Sequence, residues 1–175
     1  MDLKKHIRTV PNFPTDGVMF RDVTTLFNHA GAFEQTICDF VDLWKDKKVE
    51  AIAGIDARGF IIGGALASKL RLPFVALRKM GKLPYETLSE EYDLEYGKAT
   101  LEIHVDAIKN GTSVLIVDDL IATGGTAMAG VNLVKAMGGN IVGCGFIIDL
   151  PDLGGATKLE DLGIKVKSLI SYKGE

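Results

Sequence analysis

The sequence predicts an α/β fold in which a mostly parallel central sheet is flanked by helices. Short apolar runs at 49–55, 73–77 and 114–117 have the length and composition of buried strands. Segments with apolar residues at helical spacing separate these runs. Strands that alternate with helices along a chain are typical of a parallel sheet covered on both faces. The 175 residues form one predicted domain, 1–175, long enough to bury roughly 70% of the surface of its unfolded chain.

The first half of the chain is predicted to contain a helix, a strand, a second helix and a second strand. The first helix, over 33–44, is indicated by five apolar residues at helical spacing: Phe33, Ile37, Phe40, Val41 and Trp44. The strand at 49–55 follows, then a helix at 60–70 and the strand at 73–77. Residues 78–96 are polar and punctuated by glycine and proline, and they are longer than the usual connection. We therefore expect a functional loop there.

The second half continues the same alternation. Residues 100–105 alternate apolar and polar side chains, as a half-exposed strand does. The strand at 114–117 leads to a helix at 127–137, which a pair of glycines ends. A buried strand at 141–148 and a further strand at 166–172 complete the predicted sheet.

Composition and charge exclude several classes of function. A net charge of −3 provides no electrostatic footprint for nucleic acid, so nucleic acid is not an expected partner. No apolar segment approaches the roughly 18 residues of a membrane span, and the N-terminal residues lack the pattern of a secretory signal. We therefore expect a cytoplasmic protein without a membrane partner. Cys38 and Cys144 lie far apart in apolar surroundings, which favours free thiols over a disulfide or a metal site.

The most informative segment is 114–126. Its apolar run meets Asp118 and Asp119 at the predicted carboxyl end of a strand, where open α/β sheets bind ligands. Neighbouring strand residues point to opposite faces, so only a strand that ends before these acids would let both reach one ligand. A turn of small residues then precedes the helix at 127–137 and offers hydroxyls and backbone N–H groups to an anion. The turn consists of Ala122, Thr123, Gly124, Gly125 and Thr126.

The two acids can bind sugar hydroxyls, and the adjacent 122–126 turn can bind a phosphate. Together they indicate a site for ribose 5-phosphate. The alternative is an ordinary surface turn, in which aspartate caps a helix and glycine supplies a positive φ. A nucleoside triphosphatase is disfavoured, because no Gly-Lys pair in the chain is followed by serine or threonine as its phosphate loop requires.

The 114–126 string resembles the phosphoribosyl pyrophosphate signature of the purine phosphoribosyltransferases, in particular of their adenine-specific branch. Further segments match that branch in the same order, so the resemblance extends from about Ile7 to Leu150. It implies a type I phosphoribosyltransferase fold with an N-terminal hood over the base site, at about 1–30, and a flexible catalytic loop at about 79–96. It also implies a transferase that forms AMP and pyrophosphate from adenine and phosphoribosyl pyrophosphate in purine salvage.

Two segments are matched to pyrophosphate binding by this resemblance. The first directly follows the strand at 49–55 and comprises Asp56, Ala57, Arg58 and Gly59. In the family this loop cradles pyrophosphate, often through a cis peptide bond between the residues that match Ala57 and Arg58. The second supplies the basic residues of the closing loop, which match Arg78, Lys79 and Lys82. Each charge-assisted hydrogen bond from these groups to pyrophosphate would contribute roughly 1.5–3 kcal/mol.

The resemblance also implies the catalytic group. Glu95 matches the acid that approaches N7 of adenine in the family and acts as the acid/base, and Arg58 and Lys82 are implied as further catalytic residues. The chemistry requires such a group, because N9 of a neutral purine loses its proton as it bonds to C1 of the ribose.

The base is assigned to the hood. Met19, Phe20 and Arg21 match the residues that surround the base in the family. There the residues that match Met19 and Arg21 read the adenine edge largely through backbone groups.

The resemblance implies Mg²⁺ as the cofactor, bound with phosphoribosyl pyrophosphate through substrate and water, with no direct protein ligand assigned. It also implies a homodimer. There are two alternative functions. The first is a phosphoribosyltransferase for xanthine or hypoxanthine, and the second is a non-catalytic regulator that binds phosphoribosyl pyrophosphate. The regulator would need a DNA-binding module and a basic face, for which this chain has neither length nor charge.

Overall fold

A seven-stranded mixed sheet forms the centre of the computed structural model, which describes residues 1–93 and 97–174. In that part of the chain the strands are β1 (Arg8–Pro11), β2 (Met19–Asp22), β3 (Ala51–Ile55), β4 (Phe74–Lys79), β5 (Thr87–Asp93), β6 (Lys98–His104), β7 (Ser113–Ile121), β8 (Asn140–Asp149) and β9 (Val166–Ser171). The helices are α1 (Thr24–Phe27), α2 (Ala30–Trp44), α3 (Arg58–Leu70), α4 (Gly125–Ala136) and α5 (Gly155–Asp161). Short 3-10 helices span Leu3–His6 and Pro151–Leu153.

The strand order in the large sheet is β5-β6-β4-β3-β7-β8-β9. The five strands from β4 to β9 pair in parallel, whereas β5 and β6 add an antiparallel edge beside β4. β3 and β7 are direct neighbours, with Gly54 opposite Val117. Their carboxyl ends therefore lie side by side, and each continues into a helix, α3 after β3 and α4 after β7. The predicted α/β class, with a mostly parallel sheet flanked by helices, is confirmed.

Each face of the sheet has its own apolar core. On one face α2 and α3 pack against β7 through fully buried side chains that include Phe40, Ile62, Leu66, Leu115 and Val117. On the other face α4 packs through Val131 and Val134 against side chains that include Leu77, Val114 and Ile116. Full burial of one such aliphatic side chain stabilises the fold by about 1.5–3 kcal/mol.

The N-terminal segment forms a separate two-stranded sheet. β1 and β2 pair in antiparallel register, with Thr9 opposite Arg21 and Val10 opposite Phe20. The Arg8 guanidinium lies 2.5 Å from the Asp22 carboxylate and ties the two strands together. This hairpin occupies much of the 1–30 segment, for which the resemblance implied a hood over the base site.

Two element predictions need correction. Residues 78–96 do not form a loop throughout, because β5 occupies 87–93 and pairs with β6 along its whole length. β5 is an edge strand with a polar, largely exposed surface, so it lacks the apolar run by which the other strands were recognised. β7 extends well past residue 117 and ends at Ile121, so the predicted end of that strand is also wrong.

Candidate functional site

A cavity of about 340 Å³ opens at the carboxyl ends of β3 and β7, and we call it the front cavity. Many residues that the sequence singled out line it: Asp56, Arg58, Lys79, Asp118, Asp119, Ala122, Thr123, Gly124, Gly125 and Thr126. Tyr92 of β5, Ala99 of β6 and Phe146 of β8 also line it, and no sequence pattern pointed to them. The fold thus assembles acids, cations and the glycine-rich turn around one space.

Both acids line this cavity although they lie within β7, which continues to Ile121. Val117 and Leu120 pack in the same core cluster, although they are three positions apart. β7 nevertheless pairs with β8 in continuous register from Asp118 to Ile121, so the strand does not end before the two acids. Both carboxylates line the front cavity although the strand continues, so the prediction that only a strand ending before them would allow this is wrong.

Asp119 is only 3% exposed and forms an ion pair with the Nε of Arg58, the first residue of α3. Burial disfavours the charge of the Arg58 guanidinium, but Asp119, Asp118 and Asp22 outweigh it and raise the pKa of that group. The ion pair holds the head of α3 against β7.

The Asp118 carboxyl has a different environment. Burial, and then the neighbouring carboxylate of Asp119, raise its pKa well above the usual value for aspartate. Its Oδ1 accepts a hydrogen bond from the backbone N–H of Asp119 at 2.8 Å. Cavities that hold such perturbed groups are candidate functional sites.

A group of cations surrounds Asp56, which follows β3. Arg78 Nε donates to Asp56 Oδ2 at 3.3 Å, and Lys82 Nζ lies 3.8 Å from the same oxygen. The Arg78 guanidinium also lies 5.7 Å from the centre of the Phe60 ring. The two cationic side chains are about a third and a half exposed, whereas the Asp56 side chain is buried. The structure therefore brings Arg78 and Lys82 to the 56–59 segment, and Lys79 faces the same cavity.

The 56–59 segment contains a cis peptide bond, but not at the expected position. The cis peptide bond joins Asp56 to Ala57, not Ala57 to Arg58. Gly59 lies in the first turn of α3, where an added Cβ would meet the Val117 carbonyl oxygen at 2.7 Å. Only glycine lets the helix approach β7 this closely.

The 122–126 turn leads directly into α4. Gly124 has φ +82°, a left-handed conformation that glycine adopts without steric cost, and α4 begins at the next residue. The first N–H groups of a helix have no partner within it, and the helix dipole favours an anion there. Within the described ranges, the N–H groups of Thr123 and Gly124 also donate no hydrogen bond to protein. The turn thus presents a run of backbone donors and two threonine hydroxyls.

Gly155 and Lys158 of α5 contact this turn, and sequence reasoning missed both. The Gly155 N–H donates to the Ala122 carbonyl at 3.0 Å, and Lys158 Nζ donates to the Thr123 carbonyl at 3.2 Å. The only sequence signal was the Gly154-Gly155 pair, which is typical of any turn.

A second cavity, the apolar cavity, of about 300 Å³, lies beneath the N-terminal hairpin. It is lined by Val10, Phe13, Phe20, Asp22, Thr24 and Arg58. The Phe13 and Phe20 rings meet edge to face with their centroids 5.1 Å apart. Arg58 lines both cavities, so the two spaces adjoin at its side chain.

The three predicted hood residues have different positions. Phe20 lines the apolar cavity, whereas the side chains of Met19 and Arg21 do not belong to its lining. The Arg21 guanidinium lies over the Tyr172 ring at 4.1 Å, and its Nη1 donates to Thr9 Oγ1 at 2.6 Å. The side chain of Arg21 is thus directed to β1 and to the residue after β9.

Glu95 lies outside the described residues. In the described ranges, no group of three or more histidine, cysteine, aspartate or glutamate side chains could hold a metal ion. No helix there is long and apolar enough to cross a bilayer. Cys38 and Cys144 are both free thiols, as predicted.

Comparison with known proteins finds relatives over the whole chain. The family model of the phosphoribosyl transferase domain matches residues 28–169. An adenine phosphoribosyltransferase from Maricaulis maris is 55% identical over 174 residues, 99% of each chain. The crystal structure of adenine phosphoribosyltransferase from Thermoanaerobacter pseudethanolicus matches with a TM-score of 0.94 at 44% identity, over 98% of both chains. The enzyme from Saccharomyces cerevisiae, solved with an imino-altritol bisphosphate and adenine, matches with a TM-score of 0.90 at 38% identity over 97% of both chains.

Proposed function

The chain belongs to the adenine phosphoribosyltransferases of the phosphoribosyl transferase family, and from that premise we propose how its residues divide the work of the reaction. The enzyme forms AMP and pyrophosphate from adenine and phosphoribosyl pyrophosphate. One observation carries the proposal: a polar cavity with acids, cations and a helix N-terminus adjoins an apolar cavity of aromatic lining at Arg58. A phosphorylated sugar suits the first and a planar base suits the second.

The ribose 5-phosphate is bound by the 122–126 turn and the two acids. The backbone donors and threonine hydroxyls of the turn bind the 5′-phosphate at the N-terminus of α4. Asp118 and Asp119 orient the ribose hydroxyls and stabilise the positive charge that develops on the sugar ring as the C1–O bond to pyrophosphate breaks. Preorganised charge of this kind often contributes more to catalysis than any other single effect.

Pyrophosphate is bound at Asp56, Ala57, Arg58 and Gly59, and by Arg78, Lys79 and Lys82. Arg78 and Lys82 already lie beside the Asp56 carboxylate, so they are positioned before the anion arrives. Within the 79–96 segment, we assign the closing movement that excludes water from the activated sugar to the residues between β4 and β5. Arg58 and Lys82 then stabilise the negative charge that the leaving group gains.

The base lies in the apolar cavity, beside the Phe20 ring. Aromatic rings in offset or edge contact stabilise each other by about 0.5–1.5 kcal/mol beyond their burial. Met19 and Arg21 contribute backbone N–H and C=O groups to the adenine edge, a role that leaves their side chains free to lie elsewhere. The hood at about 1–30 and the loop at about 79–96 are thereby parts of one domain, 1–175.

Mg²⁺ would be held together with phosphoribosyl pyrophosphate. The donor set fits an ion held through substrate and water, because two of the three carboxylates lining the front cavity, Asp56 and Asp119, are already paired with cationic side chains. Magnesium sites commonly combine few carboxylates with substrate phosphates and water. When bound, the ion neutralises charge on the leaving pyrophosphate.

Glu95 acts as the acid/base for the purine in this proposal. Glu95→Gln is expected to lower kcat about 10²-fold, because glutamine can still hydrogen-bond to the ring but cannot transfer a proton. The KM for phosphoribosyl pyrophosphate should change little. Rapid-quench measurement of the chemical step gives the test, with Glu34→Gln on α2 as the matched control. An unchanged chemical step in Glu95→Gln would remove Glu95 from the mechanism.

Base choice tests the function as a whole. We expect pyrophosphate release from phosphoribosyl pyrophosphate and Mg²⁺ with adenine, and none with hypoxanthine, guanine or xanthine in separate reactions. Release with an oxopurine alone would overturn the assignment of the base site. Release with none of the four would favour the regulator that binds phosphoribosyl pyrophosphate without turnover.

We propose that the enzyme works as a cytoplasmic homodimer, as the resemblance implies. Light scattering on the eluting peak of a size-exclusion column would report twice the chain mass of 18.9 kDa. A peak at the chain mass itself would contradict the dimer.

A further inference from the structure

We propose that α5 is a brace for the 122–126 turn, in which Gly155 and Lys158 are positioning residues for binding of the 5′-phosphate. This inference rests on the proposed function, because it concerns the site assigned to that phosphate. The brace comes from a part of the chain to which no sequence motif pointed. Its Lys158 is absent from the lining of the front cavity and lines a neighbouring cavity of about 650 Å³ together with all five residues of the turn.

Gly155 fits against the turn at backbone distance. It is buried, and a Cβ there would lie 2.3 Å from the Ala122 carbonyl oxygen and 2.6 Å from the Gly124 nitrogen. Real Cβ atoms do not approach other atoms this closely, so any larger residue must displace the turn or α5. The contact is mutual, because a Cβ on Gly124 would meet the Cα of Gly155 at 3.0 Å.

The two hydrogen bonds from α5 fix the direction of two successive peptide groups. Gly155 N–H holds the Ala122 carbonyl, and Lys158 Nζ holds the Thr123 carbonyl. In a trans peptide the carbonyl and the following N–H point in opposite directions. The N–H groups of Thr123 and Gly124 therefore point away from the two donors that hold these carbonyls, and no described protein group accepts a hydrogen bond from them.

Lys158 also brings a positive charge to the turn. Its ammonium group is held by a carbonyl of the turn, near the place proposed for the negatively charged phosphate. The side chain is exposed, so solvent screens this charge and its effect is modest. Its main role is to hold the peptide group that presents the Gly124 N–H.

Lys158→Met tests the brace without risk to folding, because the side chain is exposed. We expect the Kd of AMP and of ribose 5-phosphate, measured by calorimetry, to rise about three- to tenfold. The KM for adenine and kcat at saturating phosphoribosyl pyrophosphate should stay within about twofold. A purely structural role would lower Tm without this split between phosphate and base, and Lys158→Arg should restore the affinity for AMP.

Lys135→Met, at the far end of α4, is the matched control and should leave the Kd of AMP unchanged. Gly155→Ala should weaken AMP binding at least as much as Lys158→Met does. If the wild-type enzyme is active with adenine while Lys158→Met binds AMP and ribose 5-phosphate as tightly as wild type, the brace is overturned and the proposed function stands. Wild type without any pyrophosphate release would instead overturn the function itself.

Discussion

Asp118→Asn is expected to lower kcat by about 10²- to 10³-fold and, at the same time, to raise the melting temperature. The loss of activity follows from removing a preorganised carboxylate beside the developing positive charge of the ribose. The gain in stability follows from the cost of holding a buried charge next to Asp119. Asparagine keeps a carbonyl oxygen for the hydrogen bond from the Asp119 N–H, so the local backbone is undisturbed.

The stability gain should depend on pH in a defined direction. The pKa of the Asp118 carboxyl is raised in the folded protein, so the folded chain binds a proton more tightly than the unfolded chain. The stability that the protonated carboxyl provides is therefore present at low pH and is lost as pH rises through the folded pKa. Asparagine does not titrate, so the difference in Tm between Asp118→Asn and wild type should widen from about pH 5 to about pH 8.

Calorimetric melting and steady-state kinetics at both pH values provide the measurement. Asp149→Asn is the control, because burial and the charge of Glu160 raise the pKa of that carboxyl as well, outside the front cavity. It should raise Tm and leave kcat unchanged. If Asp118→Asn were fully active, the ribose site would have to be built without this carboxylate.

Gly59→Ala is expected to reduce kcat/KM by about 10²-fold or more and to destabilise the fold by about 1–3 kcal/mol. The added Cβ would lie 2.7 Å from the Val117 carbonyl oxygen and 3.0 Å from Asp118 Oδ1. Since both are held by β7, the head of α3 must move away and take Arg58 with it. That movement pulls the Arg58 guanidinium from Asp119 and from the junction of the two cavities.

Gly64→Ala in the same helix separates this effect from helix propensity. A Cβ at Gly64 meets no atom within 4 Å, so alanine there should stabilise the helix by about 0.5–1 kcal/mol and leave kcat/KM unchanged. Urea titration gives the two free energies of unfolding. Equal stability and activity of Gly59→Ala and wild type would show that α3 does not need this close approach.

The central part of the fold and of the site could be predicted from local patterns. The run at 114–117, the acids after it and the glycine-rich turn are contiguous in sequence, so the strand, the site and the following helix are readable together. The 56–59 segment was placed at the same edge because parallel strands end on one side of a sheet. The structure brings both segments to one cavity.

Other features depend on contacts that no local pattern records. Lys158 lies 35 positions from the carbonyl it binds, and only the folded chain brings them together. β5 exists through hydrogen bonds to β6 and packing beneath α4, while its polar sequence resembles a loop. Nor does a local pattern record that Asp118 and Asp119 both line one cavity from within a continuing strand.

The pairing of Asp56 with Arg78 and Lys82 also has a kinetic consequence. Three carboxylates and four cationic side chains lie in the front cavity and at its rim. The cations are Arg58, Arg78, Lys79 and Lys82. The ion-paired carboxylates of Asp56 and Asp119 offset part of this positive charge, so the site attracts a polyanion from a distance less strongly than four unpaired cations would. If pyrophosphate binds as proposed, its oxygens exchange at short range with the Asp56 carboxylate at cations that are already in place. Part of the discrimination among anions is then made after contact, in this exchange.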